Sequence, residues 1–154
     1  MIISILNEKG GSGKTTLATN LAFKFSNEKL DILLVDADPQ RSIETFMDFR
    51  VNNGFDLPFS SISKVGDSLL KEIKNFVSKY DSIIIDTGGR DSNEMRQALL
   101  ISDLVIIPTI PSGYDQAVLN KMINLIKEVT IINENLKVLI VISKASPNPF
   151  LEKK

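Results

Sequence analysis

The chain of 154 residues contains no cysteine and no histidine. Without cysteine it cannot form disulfides, thiolate metal sites or iron–sulfur clusters. Without histidine it cannot use Ser-His-Asp catalysis or bind zinc through imidazole. Any chemistry must therefore use carboxylates, amines, guanidinium groups, hydroxyls, backbone amides or a hard cation held by oxygen.

Long apolar runs and an excess of one charge are missing as well. No run approaches the roughly 20 residues that a membrane helix requires. Residues 1–6 are too short for a signal peptide. The net charge is −1, so the chain has no overall basic field for nucleic acid. We expect one domain, residues 1–154, in a cytoplasmic protein without a membrane partner.

Short apolar strands alternate with amphipathic helices along the chain. Strands are predicted at residues 2–6, 32–35, 83–85, 104–107 and 138–142, with a short edge strand at 59–62. Helices are predicted at residues 13–26, 41–51, 67–79, 93–101 and 115–132. Four of the strands are unbroken Val/Ile/Leu runs, which is typical of parallel strands buried on both faces. The pattern predicts an α/β, doubly wound, mostly parallel sheet flanked by helices, with ligands at the carboxyl ends of the strands.

A glycine-rich segment, Lys-Gly-Gly-Ser-Gly-Lys-Thr-Thr, lies between the first strand and the first helix. Its glycines let backbone N–H groups approach phosphate oxygens, and the helix N-terminus adds partial positive charge. Lys14 is placed for the β- and γ-phosphates, and the Thr15 hydroxyl for magnesium. A turn that binds nothing is the alternative, but chance gives this pattern in about one such chain in several thousand. The predicted nucleotide-binding residues are Lys9, Gly10, Gly11, Ser12, Gly13, Lys14, Thr15 and Thr16.

Carboxylates follow the second and third core strands. Asp36 and Asp38 stand two residues apart after one strand, and Asp86 ends the strand at 83–85. Burying such groups unpaired is costly, so a cation, a lysine or water is expected beside them. Asp86 would hold magnesium opposite Thr15, in part through water. The alternatives are that Asp36 caps the next helix or pairs with Lys14, and that Asp86 starts a turn.

Two glycines and an arginine follow Asp86. Gly88 and Gly89 permit the backbone to approach a γ-phosphate and to move when it leaves. Arg90 and Arg96 lie in the same segment, where they either reach a phosphate or a dimer face or remain ordinary surface arginines. The segment is therefore a candidate switch.

The phosphate loop departs from the usual pattern G-x-x-x-x-G-K-[ST], because Glu8 stands where glycine is expected and Lys9 follows it. This form resembles the deviant Walker A loop of the ParA/MinD family of P-loop ATPases. The resemblance runs from Met1 to about Ser146 and is closest to the small plasmid-partitioning branch. It implies that Lys9 reaches across an ATP-dependent homodimer to the partner's ATP. A solvated lysine beside the loop is the alternative.

The resemblance also implies roles for the carboxylates. Asp38 would orient the attacking water and Asp36 would lie near the magnesium shell, unless they serve as caps. The implied catalytic set is Lys9, Lys14 and Asp38, and the implied metal set is Thr15, Asp36 and Asp86.

A proline-rich segment follows the strand at 104–107. Pro108 and Pro111 resemble a family loop beside the nucleotide and the dimer partner, with a rigid strand exit as the alternative. Ser143 and Lys144 follow the last strand, where relatives contact adenine. The chain has no Asn-Lys-x-Asp tetrapeptide for guanine, which favours ATP over GTP.

By this resemblance the protein is a slow, partner-stimulated ATPase with ATP and Mg²⁺ as cofactors, acting in plasmid or chromosome partitioning. A DNA-bound, ParB-like adaptor and non-specific DNA are the implied partners, with association to nucleoid or plasmid. Members of this branch typically continue into C-terminal elements, ending in a helix that helps bind DNA, and by the resemblance we expect those elements to be missing from this chain. The alternatives are a regulatory nucleotide-binding module with little hydrolysis, and a small-molecule kinase or ligase of the same fold. Lys9 argues against the kinase or ligase.

Overall fold

The structure is a computed structural model that describes residues 1–111 and 113–143. Its described part forms one six-stranded sheet, in the order β3-β2-β4-β1-β5-β6, with five helices. The strands are β1 (Ile2–Ile5), β2 (Ile32–Ala37), β3 (Ser60–Ser63), β4 (Ser82–Thr87), β5 (Leu104–Thr109) and β6 (Lys137–Ile142). The helices are α1 (Lys14–Asn27), α2 (Ser42–Asn52), α3 (Leu69–Phe76), α4 (Asn93–Ile101) and α5 (Gly113–Val129).

Every strand pairing is parallel, which confirms the predicted fold class. The carboxyl ends of the strands therefore meet at one edge of the sheet, where ligands bind in open α/β folds. The register places Asp36 of β2 beside Asp86 of β4. Both aspartates lie inside their strands, since β2 and β4 extend further than the apolar runs alone predicted.

The central strands bury both of their faces, which explains their unbroken apolar sequences. In β4, Ile83 and Ile85 belong to the core on the side of α3, α4 and α5. Ile84, between them, belongs to the core on the side of α1 and α2. Because side chains alternate across a strand, each face needs its own apolar set.

The helices begin in different ways, and two of those beginnings shape the functional edge. Gly13 precedes α1 with φ of 94°, a left-handed conformation that favours glycine. Arg41 precedes α2, also with a positive φ, and its side chain makes no capping hydrogen bond. The Asp36 carboxylate supplies that cap, because it accepts from the N–H groups of Ile43 at 2.9 Å and Glu44 at 3.4 Å.

The last strand differs from its prediction. Residues 138–142 were predicted to form a core strand, and the prediction of burial was wrong. Among the described residues, β6 pairs with β5 alone and lies at the edge of the sheet. Its apolar side chains are 39–64% exposed at Val138, Leu139, Ile140 and Ile142. A Val/Ile/Leu run indicates that the backbone is extended, but the position of the strand in the sheet decides whether its side chains are buried.

Smaller differences concern element ends. The helix predicted at 67–79 is confined to Leu69–Phe76, and β5 continues through Pro108, which pairs with Val141 instead of closing the strand. Among the described residues, no helix has the length and apolar character needed to cross a bilayer.

The contrast between central and edge strands predicts different costs for one substitution. Ile84→Ala should lower the free energy of unfolding by about 2–5 kcal/mol, because it opens a cavity at a fully buried position. Ile140→Ala should cost less than about 1 kcal/mol, since Ile140 is 44% exposed. Urea unfolding of both variants measures the difference, and equal costs would contradict the edge position of β6.

Candidate phosphate-binding site

A cavity of about 820 Å³ opens at the carboxyl edge of the sheet, over the start of α1. It brings together the glycine loop, the segment after β2 and the segment after β4, as the sequence predicted. Its lining consists of Gly10, Gly11, Gly13, Lys14, Thr15, Thr16, Asp38, Pro39, Gln40, Ser42, Gly88, Gly89, Arg90, Ser92 and Glu94.

Buried polar contacts hold the glycine loop in place. Asn7, 3% exposed, donates from Nδ2 to the Pro108 carbonyl at 2.7 Å and accepts the Lys9 N–H at 2.9 Å. On the other side, Ser143 Oγ donates to the Ser12 carbonyl at 2.8 Å. Sequence reasoning did not identify Asn7, although a polar residue at the end of a buried strand was the available signal. These contacts tie the loop to β5 and to the end of β6.

The loop lysine lies folded onto its own loop. Lys14 is 6% exposed, and its Nζ donates to the Lys9 carbonyl at 2.9 Å. Burial lowers the pKa of Lys14, while the negative charges of Asp86 and Asp38 act in the opposite direction. The ammonium group is thus held between the loop and two carboxylates, where it can neutralise an anion in the cavity.

Thr15 and Asp86 form the innermost polar pair of the site. Thr15 Oγ1 donates to Asp86 Oδ2 at 2.6 Å. The other oxygen, Asp86 Oδ1, is buried and has no hydrogen-bond partner among the described residues. Burial raises the pKa of Asp86 to about 7. The negative charge of Asp36 raises this pKa further, whereas the hydrogen bond from Thr15 lowers it.

This oxygen pair fits a hard cation. A buried carboxylate with one unpartnered oxygen and an adjacent hydroxyl is the donor chemistry that Mg²⁺ takes. No group of three or more acidic side chains able to hold a metal occurs within the described ranges. Thr15 and Asp86 are therefore suited to a cation whose remaining ligands are phosphate and water.

The two aspartates of β2 and its following turn have different surroundings. Asp36, 1% exposed, accepts from the Asp38 N–H at 3.2 Å as well as from the α2 amides described above. Its pKa is raised, mainly by burial. Asp36 thus has the helix-capping contacts that the sequence left as an alternative. Asp38 lines the cavity and accepts the Gln40 N–H at 2.9 Å.

The two glycines after β4 contact different parts of the site: Gly89 lies against the glycine loop and Gly88 against the Asp38 side chain. A Cβ built on Gly89 would stand 2.8 Å from the Gly10 nitrogen and 2.9 Å from its Cα, too close for any side chain. A Cβ on Gly88 would stand 3.3 Å from Asp38 Oδ1, a contact that rotation of the Asp38 side chain can relieve. Gly89 therefore permits the close approach of the two backbones, a role that the sequence pattern could only suggest.

The remaining predicted residues are scattered. Arg90 lines the cavity, whereas Arg96 pairs with Asp91 at 2.7 Å on the surface. Pro108 is buried in β5, and Pro111 is exposed. Lys144, predicted near the base, lies outside the described residues.

The parallel sheet, the glycine loop leading into α1 and the carboxylate at the end of β4 define a P-loop nucleotide-binding domain. Residues 3–149 match the family described as the CobQ/CobB/MinD/ParA nucleotide binding domain. The chain belongs to this family, as the resemblance of its loop indicated.

Individual relatives agree with that assignment. The chain is 36% identical over 120 residues to the maintenance of carboxysome distribution protein A of Gloeobacter kilaueensis, covering 77% of this chain and 53% of that protein. A plasmid partition protein from Borrelia burgdorferi superposes with a TM-score of 0.79 at 25% identity, covering 99% of this chain and 85% of that one. A cobyrinic acid a,c-diamide synthase from Mycobacterium smegmatis, whose structure contains an ATP analogue and magnesium, shares the fold. It superposes with a TM-score of 0.76 at 19% identity, covering 89% of this chain and 71% of that one. The chain thus spans about half the length of the carboxysome protein.

The raised pKa of Asp86 predicts a pH-dependent stability in metal-free, nucleotide-free solution. The folded carboxyl keeps its proton up to about pH 7, whereas the unfolded one loses it near 3.8. The folded state binds the extra proton in that window, so the free energy of unfolding should fall as pH rises, by up to about 1.4 kcal/mol per pH unit.

Asp86→Asn removes this titration and should flatten the fall between pH 4 and 7. Urea unfolding at several pH values, in EDTA, compares the two proteins. A wild-type slope that matches the slope of the variant would contradict the buried, ionisable Asp86.

The close contact at Gly89 predicts a large effect of one methyl group. Gly89→Ala should displace the loop backbone and weaken binding of a fluorescently labelled ATP analogue by at least about 10-fold, because the displaced loop loses at least one charge-assisted hydrogen bond to phosphate. Gly88→Ala is the matched control and should change the affinity less, because Asp38 can rotate away. Equal affinities for the two variants would show that the close approach is not required.

Proposed function

We propose that the protein binds and hydrolyses ATP with Mg²⁺ and uses the nucleotide as a dimerisation switch in DNA partitioning. One observation carries the proposal: Lys14, Thr15 and Asp38 line a single cavity at the phosphate loop, and the buried Asp86 accepts a hydrogen bond from Thr15 directly behind it. The family assignment supports nucleotide binding, and the partition protein of similar fold supports the biological role.

The chain's own residues divide the work of binding the triphosphate. Amides of the glycine loop and the start of α1 would receive the phosphate oxygens. Lys14 would leave the Lys9 carbonyl to bind the β- and γ-phosphates. Thr15 and Asp86 would hold the magnesium ion, which neutralises charge on the phosphates when bound. Asp36 caps α2 and would influence the magnesium site only through its negative charge, which acts on Asp86.

Hydrolysis needs a positioned water molecule and added positive charge at the γ-phosphate. We assign the water to Asp38, which lines the cavity beside Gly88. We assign the added charge to Lys9, acting across the dimer on the partner's nucleotide. Gly88 and Gly89, with Pro108 and Pro111, belong to the surface that changes between nucleotide states.

The same proposal includes the partners. A ParB-like adaptor on DNA would stimulate slow hydrolysis, and the dimer would bind DNA without sequence preference. The resemblance and the partition protein of similar fold support this part. The proposal includes a location on a plasmid or nucleoid in the cytoplasm.

Size analysis with ADP and with a non-hydrolysable ATP analogue tests the switch. Wild type should dimerise only with the triphosphate and Mg²⁺, and Lys9→Ala should stay monomeric while still binding nucleotide. Lys71→Ala, an exposed lysine on α3, is the control and should dimerise. Dimers of Lys9→Ala equal to those of wild type would contradict the role of Lys9 in trans.

Phosphate release separates binding from hydrolysis. Lys14→Ala should lower ATP affinity by about 10- to 100-fold, the loss of one or two charge-assisted contacts. Asp38→Ala should retain affinity and release phosphate at least about 10-fold more slowly. Tight binding by wild type with no phosphate release, even with adaptor and DNA, would favour a regulatory module without hydrolysis.

A further inference from the structure

A second groove, of about 190 Å³, runs between α2 and β3, apart from the cavity at the phosphate loop. Its wall is apolar at Met47, Val51 and Leu57. Among the described residues that line it, every charged side chain is a carboxylate, and the two at the rim are Glu44 and Asp48. Glu44 forms a salt bridge of 3.4 Å with Arg41, so the charge offered to a ligand is mainly that of Asp48. The groove therefore combines an apolar wall with negative charge, which suits a basic side chain on an apolar segment.

The strand beside this groove has an open edge. In the described part of the chain, β3 pairs with β2 alone. The N–H of Lys64 donates to the Asp36 carbonyl, on the β2 side. Because successive residues of a strand direct their backbone groups to opposite sides, the amides of Ser61 and Ser63 are directed to the open edge. An extended segment laid there can add a strand to the sheet.

Exposed aromatic residues lie on α2 and its following loop, outside the lining of the groove. Phe46, Phe49 and Phe55 are 38%, 63% and 55% exposed. The Arg50 guanidinium lies 4.6 Å from the Phe23 ring centroid and 5.2 Å from that of Phe55. Arg50 is thus engaged with the rings and does not line the acidic groove.

We propose that the α2–β3 groove binds an extended, basic segment of a partner protein. The segment adds a strand along β3 through the amides of Ser61 and Ser63. One of its lysine or arginine side chains enters the groove beside Asp48, and its apolar neighbours pack on Val51 and Leu57. Charge complementarity favours this occupant, since a second copy of the groove would bring carboxylate against carboxylate.

The groove and the nucleotide cavity share one structural element. Asp36 lines the floor of the groove and, at the same time, holds the first amides of α2 and the N–H of Asp38. The turn from Asp38 to Ser42 then forms a wall of the nucleotide cavity. A segment bound in the groove would thus contact the element that supports Asp38. The groove itself needs neither nucleotide binding nor hydrolysis, so the inference stands apart from the proposed function.

A random-peptide phage library, selected on the full chain without nucleotide, provides the probe. Enriched peptides should carry a lysine or arginine between apolar residues. A synthetic copy of one such peptide is then titrated against wild type and two charge-reversed variants. Asp48→Lys should lower the affinity for the peptide by at least about 10-fold. Asp56→Lys, an exposed acid that does not line the groove, should leave the affinity within about 2-fold.

Two further readouts keep the result unambiguous. Both variants should bind the ATP analogue as wild type does, which reports an intact fold at the separate site. The bound peptide should protect the amides of Ser61 and Ser63 from hydrogen exchange. Enriched peptides without basic residues, equal losses in the two variants, absent protection or no enrichment at all would each overturn the proposal.

Discussion

A buried carboxylate beside a hydroxyl and a lysine is the constraint on which the functional edge of this protein depends. Asp86 lies almost wholly out of solvent, with one oxygen bound to Thr15 and the other without a partner among the described residues. Such a group lowers the stability of the unliganded domain, because its ionised form is poorly solvated. Proteins retain arrangements of this kind where a ligand completes them, and here a cation with a polyphosphate matches the open positions.

The parallel sheet explains why similar carboxylates have different roles. Asp36 and Asp86 are register neighbours on adjacent strands, so both reach the same edge. Asp36 is followed by a turn into α2; its Oδ2 accepts from amides of that helix, and its Oδ1 accepts from the N–H of Asp38 in the turn. Asp86 is followed by Gly88 and Gly89, which carry the chain against the phosphate loop. The element after each strand therefore decides whether its carboxylate holds structure or stays available to a ligand.

The sequence predicted the phosphate loop, the parallel α/β class and the convergence of Lys14, Asp38 and Asp86, because each follows from local spacing or strand order. It could not decide what depends on distant parts of the chain. The exposure of β6 depends on its edge position, and the capping by Asp36 on the path of α2. The contact of Gly89 with Gly10 and the hydrogen bond from Asn7 to Pro108 join segments about 80 to 100 residues apart. Periodicity carries no information on such contacts.

Calorimetric titration of the intact chain with Mg·ATP near pH 7, in two buffers of different ionisation enthalpy, tests the central claim most directly. The account predicts saturable heat that depends on Mg²⁺, and a difference between the buffers, because a cation at Asp86 displaces the proton that its raised pKa retains. Absence of any heat of association from folded protein would contradict the account and leave an α/β domain without an assigned ligand.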